Sequence, residues 1–349
     1  MSLRTKHLRR IGVFRALMLG DMLCATPALR ALRAACPEAH ITLIGLPWAS
    51  ELAGRLASVD DFEPFPGWPG LPEIPQPPAG EMQAFVGRVR ARSLDLLIQM
   101  HGSGRLTNAL LSELGARHRA GFFEQEGHVR PEDKALWMEW PRKGNEITRL
   151  LGLTSHLGFA PQGTALDLPL ESHDYVQAQT LIPSSRRYVV VHAGSQLPSR
   201  RWHAQSFAAV GDSLAEAGYE IVLTGTAGEQ PVVASVANSM KHSAFNACGA
   251  TNIWTLGALL ASARLLICND TGLSHMAAAL GTPSVIAACG SEVERWAPLD
   301  AFRHRVLWRE THCRPCAHRI CPIGHHCATD LVAEEVARVA LDLVDRSAG

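Results

Sequence analysis

The sequence predicts an α/β protein built on two doubly wound, mostly parallel sheets. Three observations carry that expectation. Apolar strand-like runs alternate with helical runs through the first half. The same rhythm restarts after a polar, Pro-bearing stretch, LIPSSRR (181–187). With 349 residues, 47% hydrophobic and 19% charged, the chain can bury two cores of roughly 150 to 180 residues each. That composition also excludes a disordered chain.

In order along the chain, IGVFRAL (11–17) reads as a strand. PALRALRAA (27–35) reads as a helix, with Thr26 as N-cap and Pro27 at its first position. HITLIGL (40–46) is the second strand. Residues 63–80 hold seven prolines and read as an exposed irregular loop. DLLIQM (95–100) is a buried strand running through HGSGR into the helix TNALLSEL. Past the polar stretch come the strand YVVVHAG (188–194) and the helix SFAAVGDSLAEAG (206–218), closed by Gly218. YEIVLTG (219–225), RLLICND (264–270) and PSVIAA (283–288) are strands, separated by the helices LGALLASA (256–263) and GLSHMAAALG (272–281). The expected domains are 1–182 and 183–330. A final amphipathic helix within 331–349 is expected to pack back on the first domain.

Net charge is +0, and of 33 basic residues only Lys6, Lys134, Lys143 and Lys241 are lysines. A protein that coats nucleic acid should be basic, so no nucleic-acid partner is expected. No run reaches the ~18 to 20 apolar residues that span a bilayer. The start, RTKHLRR followed by IGVFRALMLG, imitates a signal peptide, but Arg15 and Asp21 interrupt its apolar part. The expected location is therefore cytoplasmic, with the basic start available for a peripheral contact with an anionic inner membrane. Cys24, Cys36, Cys248, Cys268 and Cys289 stand singly in apolar surroundings, as buried thiols do.

Open α/β sheets bind ligands beyond the carboxyl ends of their strands, so polar residues there are the candidates. Asp21, in a Gly turn after the first strand, is either a base or a helix cap. In AGSQLPSRRW (193–202), a strand end, small polar residues and two arginines form either an anion site or an exposed loop. Neither GxxxxGK[ST] nor GxGxxG is present, which argues against ordinary ATPases and dinucleotide dehydrogenases. In NDTGLSHMAAALGTP (269–283), Asp270, Thr271 and Gly272 precede a helix that carries His275, a pattern suited to an anion at the helix start. Finally, Cys313, Cys316, Cys321 and Cys327 lie close together with four histidines. They read as a zinc clasp, a redox-sensitive pair or reduced packing thiols.

Taken together, these motifs resemble glycosyltransferase family 9, the ADP-heptose:lipopolysaccharide heptosyltransferases. GDMLCATPALRALRAACP (20–37), DLLIQMHGSGRLTNALLSELGARHRAGF (95–122), HAGSQLPSRRW (192–202), TGTAGE (224–229) and NDTGLSHMAAALGTP (269–283) match its landmarks in order. The segment CRPCAHRICPIGHHC (313–327) is similar to a cysteine-rich tail in part of the family. The resemblance implies a GT-B fold of two Rossmann-like domains across a cleft, the first binding acceptor and the second donor. It implies inverting, metal-independent transfer without a cofactor, from a nucleotide sugar such as ADP-heptose to a lipid-linked or glycan acceptor. By the same resemblance Asp21 is the base, Ser195 and Gln196 line the diphosphate loop, and Glu229 reaches the ribose. Asp270, Thr271, Gly272 and His275 hold the sugar and diphosphate, and Thr251 lies near the nucleobase. Arg200 stands where the family usually has a lysine. Two alternatives stay open: another sugar or acceptor within the family, and a non-catalytic zinc or redox module built on the cysteines.

Overall fold

The computed structural model describes residues 7–74, 77, 79–124, 128–182 and 187–346. The chain divides into two compact units between Pro169 and Leu170. The first contains β1 (Arg10–Phe14), α1 (Leu19–Ala35), β2 (His40–Gly45), α2 (Ser50–Ala53), β3 (Asp61–Pro64), α3 (Glu81–Ala91), β4 (Leu96–Gln99), α4 (Thr107–Glu113), β5 (His118–Phe123), β6 (Trp137–Glu139) and α5 (Glu146–His156). The second contains α6 (Ser172–Leu181), β7 (Tyr188–His192), α7 (Ala204–Glu216), β8 (Glu220–Leu223), α8 (Gln230–Ser239), β9 (Ala244–Asn246), α9 (Ile253–Ser262), β10 (Leu265–Asn269), α10 (Gly272–Leu280), β11 (Ser284–Ala287), α11 (Val293–Trp296), β12 (His304–Leu307), α12 (His326–Thr329) and α13 (Ala333–Arg346).

The described strands form two six-stranded sheets, ordered β3-β2-β1-β4-β5-β6 and β12-β11-β10-β7-β8-β9. Every pairing is parallel. Renumbered from its own first strand, the second sheet repeats the doubly wound order of the first. The order reverses between β1 and β4 in one unit and between β7 and β10 in the other. Those two points are where such sheets open a crevice for ligands. Strands buried on both faces need near-continuous apolar runs, and Val189, Val191, Ile267 and Val285 supply them to the second core, while Phe14, Ile44 and Leu97 serve the first.

Several expectations differ from the structure. The first helix begins at Leu19, not at Pro27, and its N-cap position is Met18 without a side-chain cap. Pro27 therefore sits inside α1, where its missing N–H leaves the Leu23 carbonyl without a helical partner. The Thr26 hydroxyl fills that gap, donating to Leu23 O at 2.8 Å, and accepts the Asp167 N–H at 2.8 Å. The Pro-rich stretch is not wholly exposed: Phe65 and Leu71 are buried in the first core. Parts of it (75, 76 and 78), of the loop after β5 (125–127), of the linker (183–186) and of the two termini (1–6, 347–349) lie outside the described residues.

The boundary and the last helix also differ. Helix α6, placed by the sequence in the first domain, packs against α9 of the second unit, with Thr255 Oγ1 donating to Gln177 Oε1 at 3.1 Å. Helix α13 packs on α7, β10 and β11 of the second unit rather than on the first, burying Val336, Leu343 and Val344. Its strongly one-sided apolar face needs a sheet surface to cover, and the second sheet provides it.

Candidate active site

In the first unit, Asp21 lies in the first turn of α1, just past the end of β1. Its side chain is 22% exposed, so a ligand can reach it. Arg15, fully buried, organises the surroundings. Its Nε donates to the Asp21 carbonyl at 2.8 Å, and one Nη stands 3.9 Å from the Asp21 carboxylate. The guanidinium also donates to the Met100 carbonyl and, at 3.1 Å, to Glu146 at the start of α5. Arg149 closes the far side of Glu146 at 2.8 Å. A buried cation with two carboxylate partners and two carbonyl acceptors is well satisfied, and it ties the ends of β1 and β4 to α1.

His101 follows β4 and stacks on Phe14. Its Nδ1 accepts the Ala16 N–H at 3.3 Å, which leaves the proton on Nε2. Burial, with the Arg15 charge beside it, pushes this imidazole down to about 3. Glu73, from the Pro-rich stretch, brings a half-buried carboxylate to 3.9 Å from His101 Nε2. Burial holds the Glu73 carboxyl above its ordinary value, and the Asp21 charge adds to that. The sequence reading passed over Arg15, Glu73, His101 and Glu146. Arg15 had a legible signal, a charge inside an apolar strand run.

In the second unit the candidates gather at the carboxyl ends of β7, β8 and β10. Asn269, the last residue of β10, donates to the carbonyls of Ala193 at 2.9 Å and Gly194 at 3.2 Å, and accepts the Trp202 N–H at 2.8 Å. This one amide fixes the whole 193–202 loop to the sheet. Glu229 packs its carboxylate onto Gly194; a Cβ there would lie 2.1 Å from Glu229 Oε1. Only glycine fits. The same carboxylate accepts from Thr226 N at 2.8 Å and Thr226 Oγ1 at 2.9 Å. His192 is buried beside Thr224 Oγ1 at 3.1 Å, and burial lowers its basicity while the Glu229 charge opposes that.

The two arginines divide the work. Arg201 clasps the Ser195 carbonyl with Nε at 2.9 Å and Nη2 at 2.6 Å. Arg200, on the short turn 198–200, makes one long contact to the Cys316 carbonyl at 3.4 Å, and its buried Nε has no hydrogen-bond partner. Thr271 is the N-cap residue of α10, yet its hydroxyl makes no cap, and its buried Oγ1 has no partner. The start of α10 therefore carries no side-chain cap, as an anion site requires, although the Ser274 N–H bonds back to Thr271 O at 3.1 Å. Asp270 precedes them, and Gly272 opens the helix. His275 is buried one turn in, edge-on to Trp296. Gln196 is exposed. Thr251 lies in the loop after β9, which Gly249 N ties to Gly225 O at 2.8 Å. The structure thus gathers Ser195, Glu229 and the Asp270–Gly272 turn around one set of strand ends, while Thr251 stands in the loop after β9 and Gln196 is exposed.

The cysteine segment behaves differently from a zinc clasp. Among the described residues no three His, Cys, Asp or Glu side chains are grouped to hold a metal ion. Cys321 accepts the His325 N–H at 3.2 Å, Cys313 reaches Thr311 Oγ1 at 3.6 Å, and Cys327 turns inward to Cys289. Cys289 is consequently not a solitary thiol, and Cys248 is half-exposed rather than buried.

Two units, each a doubly wound six-stranded parallel sheet, are the architecture of the GT-B class of glycosyltransferases. The model of glycosyltransferase family 9 (heptosyltransferase) matches residues 82–326, and the chain belongs to that family. It is 25% identical over 311 residues to "Lipopolysaccharide heptosyltransferase 2" of Escherichia coli (strain K12), covering 83% of this chain and 85% of that protein. Its fold is similar to the glycosyl transferase family 9 structure from Veillonella parvula DSM 2008, with TM-score 0.80, 21% identity and 99% coverage of both chains. It is also similar to E. coli ADP-heptose lps heptosyltransferase II, with TM-score 0.77, 20% identity, and 98% and 100% coverage. No described helix is long and apolar enough to cross a membrane.

Proposed function

We propose that this glycosyltransferase moves a heptose from ADP-heptose to a lipopolysaccharide core acceptor, with inversion at the anomeric carbon and without a catalytic metal. The first unit binds the acceptor and the second the donor. Such transfer would take place at the cytoplasmic face of the inner membrane, where the basic start would add a peripheral contact. The observation that carries the reading is the pair of orphaned donors and acceptors in the second unit: the Arg200 Nε and the uncapped start of α10 with Thr271. A diphosphate satisfies both.

In this mechanism the Asp21 carboxylate takes the acceptor hydroxyl proton as its oxygen attacks the anomeric carbon. Arg15 keeps Asp21 oriented through its backbone and carboxylate contacts. As the bond to ADP breaks, charge collects on the diphosphate. Arg200 and the first N–H groups of α10 stabilise it from fixed positions. Glu229, Thr251, Asp270 and His275 would position the ribose, base and sugar, and Ser195 with Gln196 the diphosphate loop.

The test is a reaction with ADP-heptose and a heptose-terminated core glycolipid. The expected product gains one heptose of inverted anomeric configuration, with turnover unchanged in EDTA. No product from ADP-heptose but transfer from another nucleotide sugar would replace the donor. Turnover lost in EDTA and restored by magnesium would end the metal-free mechanism.

A further inference from the structure

The segment 313–327 is a strap laid against the loop that carries Arg200. Ser199 N donates to Arg319 O at 3.1 Å, and Ser199 Oγ to His318 O. His325 Nε2 meets Ser199 O at 2.8 Å, from a residue held in left-handed backbone at φ 57°. On its other side the strap is fixed to the end of β11. Cys316 N donates to Gly290 O at 2.7 Å, where a Cβ on Gly290 would lie 2.8 Å from Cys316 Cβ. Arg314 donates to Ala288 O at 2.8 Å.

Between strap and loop lies a cavity of about 300 Å³, with Ser199, Cys313, Cys321, His325 and Cys327 in its lining. Cys327 is one of its lining residues, and the buried Cys289 thiol packs against it, with Cys289 Sγ donating to the Cys327 carbonyl at 3.7 Å. That contact, with His325 and Arg314 nearby, holds the Cys327 thiol below its ordinary value, while Cys289 is held above it. Cys289 is wholly buried and Cys327 is 6% exposed, so only a small reagent entering the cavity reaches the pair.

We propose that Cys289 and Cys327 form an oxidisable dithiol site for small peroxides, and that closing it loosens the strap's hold on the Arg200 loop. The Cys327 thiolate attacks one peroxide oxygen, giving Cys327 sulfenic acid and hydroxide. The Cys289 thiol then attacks the Cys327 sulfur, forming the disulfide and releasing water. A disulfide draws the two sulfurs closer than a hydrogen bond does. Cys327, two residues from His325, is pulled toward β11, and the His325 contact to Ser199 O is lost. The consequence for ligand binding rests on the donor-site reading above; the chemistry at the thiols does not.

The experiment treats the reduced full chain with hydrogen peroxide and maps crosslinks by non-reducing peptide mass spectrometry. Expected is one Cys289–Cys327 crosslink, reversed by dithiothreitol. ADP affinity by calorimetry should fall roughly three- to tenfold on oxidation, the worth of about one hydrogen bond, and return on reduction. Cys289→Ala and, separately, Cys327→Ser should abolish the crosslink and the peroxide-driven loss of ADP affinity. A crosslink confined to Cys313, Cys316 and Cys321, a stoichiometric metal on these sulfurs in the isolated chain, or a Cys289–Cys327 crosslink with unchanged ADP affinity would overturn the proposal. A reduced chain with no ADP affinity marks failure of the donor-site reading instead, told apart because the crosslink map needs no nucleotide.

Discussion

Asp21, Arg200 and Arg201 each offer a single-side-chain test of the proposed chemistry. Asp21→Asn keeps the size of the group and the Arg15 bond to its carbonyl, so the fold and ADP affinity should hold. Turnover should fall by about 10² to 10⁴, the scale of a positioned base; steady-state kinetics read this, and an Asn variant turning over like the parent would remove Asp21 from the role. Arg200→Ala removes a charge-assisted contact worth roughly 1.5 to 3 kcal/mol, or about 10- to 150-fold in ADP affinity. Arg200→Lys should recover much of this, since the charge returns without the fork. Arg201→Ala should act differently. It frees the Ser195 carbonyl and loosens the loop, so stability should drop along with affinity, and a lysine should not repair a two-armed clasp. Calorimetry and thermal melts on the same variants separate the two. Equal behaviour of the Arg200 and Arg201 variants in both measurements would show that the division of labour is wrong.

Among the elements, α1 and the 193–202 loop show how local chemistry sets a boundary. Thr26 is buried and serves both the Leu23 carbonyl and the Asp167 N–H. Thr26→Val keeps the shape and orphans both groups, so the first unit should lose about 1 to 3 kcal/mol, seen as a lowered urea midpoint; an unchanged midpoint would mean that water replaces the hydroxyl. This helix also marks what the sequence hides. A Thr-Pro pair is a common helix start, and only the tertiary partner at Asp167 makes the pair a mid-helix repair. Central strands such as β1, β7 and β10 were legible because both faces are buried and their apolar runs are continuous. The three-residue strand β9 is exposed or half-exposed along its length and leaves no such run. Asp21 and the Asp270–Gly272 turn were legible because polar residues interrupt apolar stretches at strand ends. Glu73 was not, because its carboxylate arrives from a proline-rich loop with no periodicity. Nor was Cys289, whose partner lies 38 residues further along the chain.

At the scale of the molecule, each unit buries a histidine that the fold keeps neutral. His101 in the first is pushed down to about 3, and His304 in the second to about 4, chiefly by burial. The unfolded chain takes up those protons near pH 6.5. Stability is therefore unaffected by these groups above that pH and falls as pH drops from about 6.5 toward 3 to 4. His101→Asn retains an acceptor for the Ala16 N–H and should flatten the first part of that slope in a series of urea melts at pH 7 to 5. A slope unchanged by the substitution would assign the acid sensitivity elsewhere.

Helix α13 has a consequence for how the protein is made. A nascent chain folds from its N-terminal domain onward, and the first unit has all its strands once β6 has been synthesised. The second unit must wait. Val336, Leu343 and Val344 close its core, and the Trp202 indole at the end of the 193–202 loop is itself held by the Leu331 carbonyl at 2.9 Å. Residues 193–202 thus take their final positions only once Leu331 and α13 have been made. A ribosome that stops before α13 releases a chain with a finished first unit and an open, apolar second one, which is a target for proteolysis.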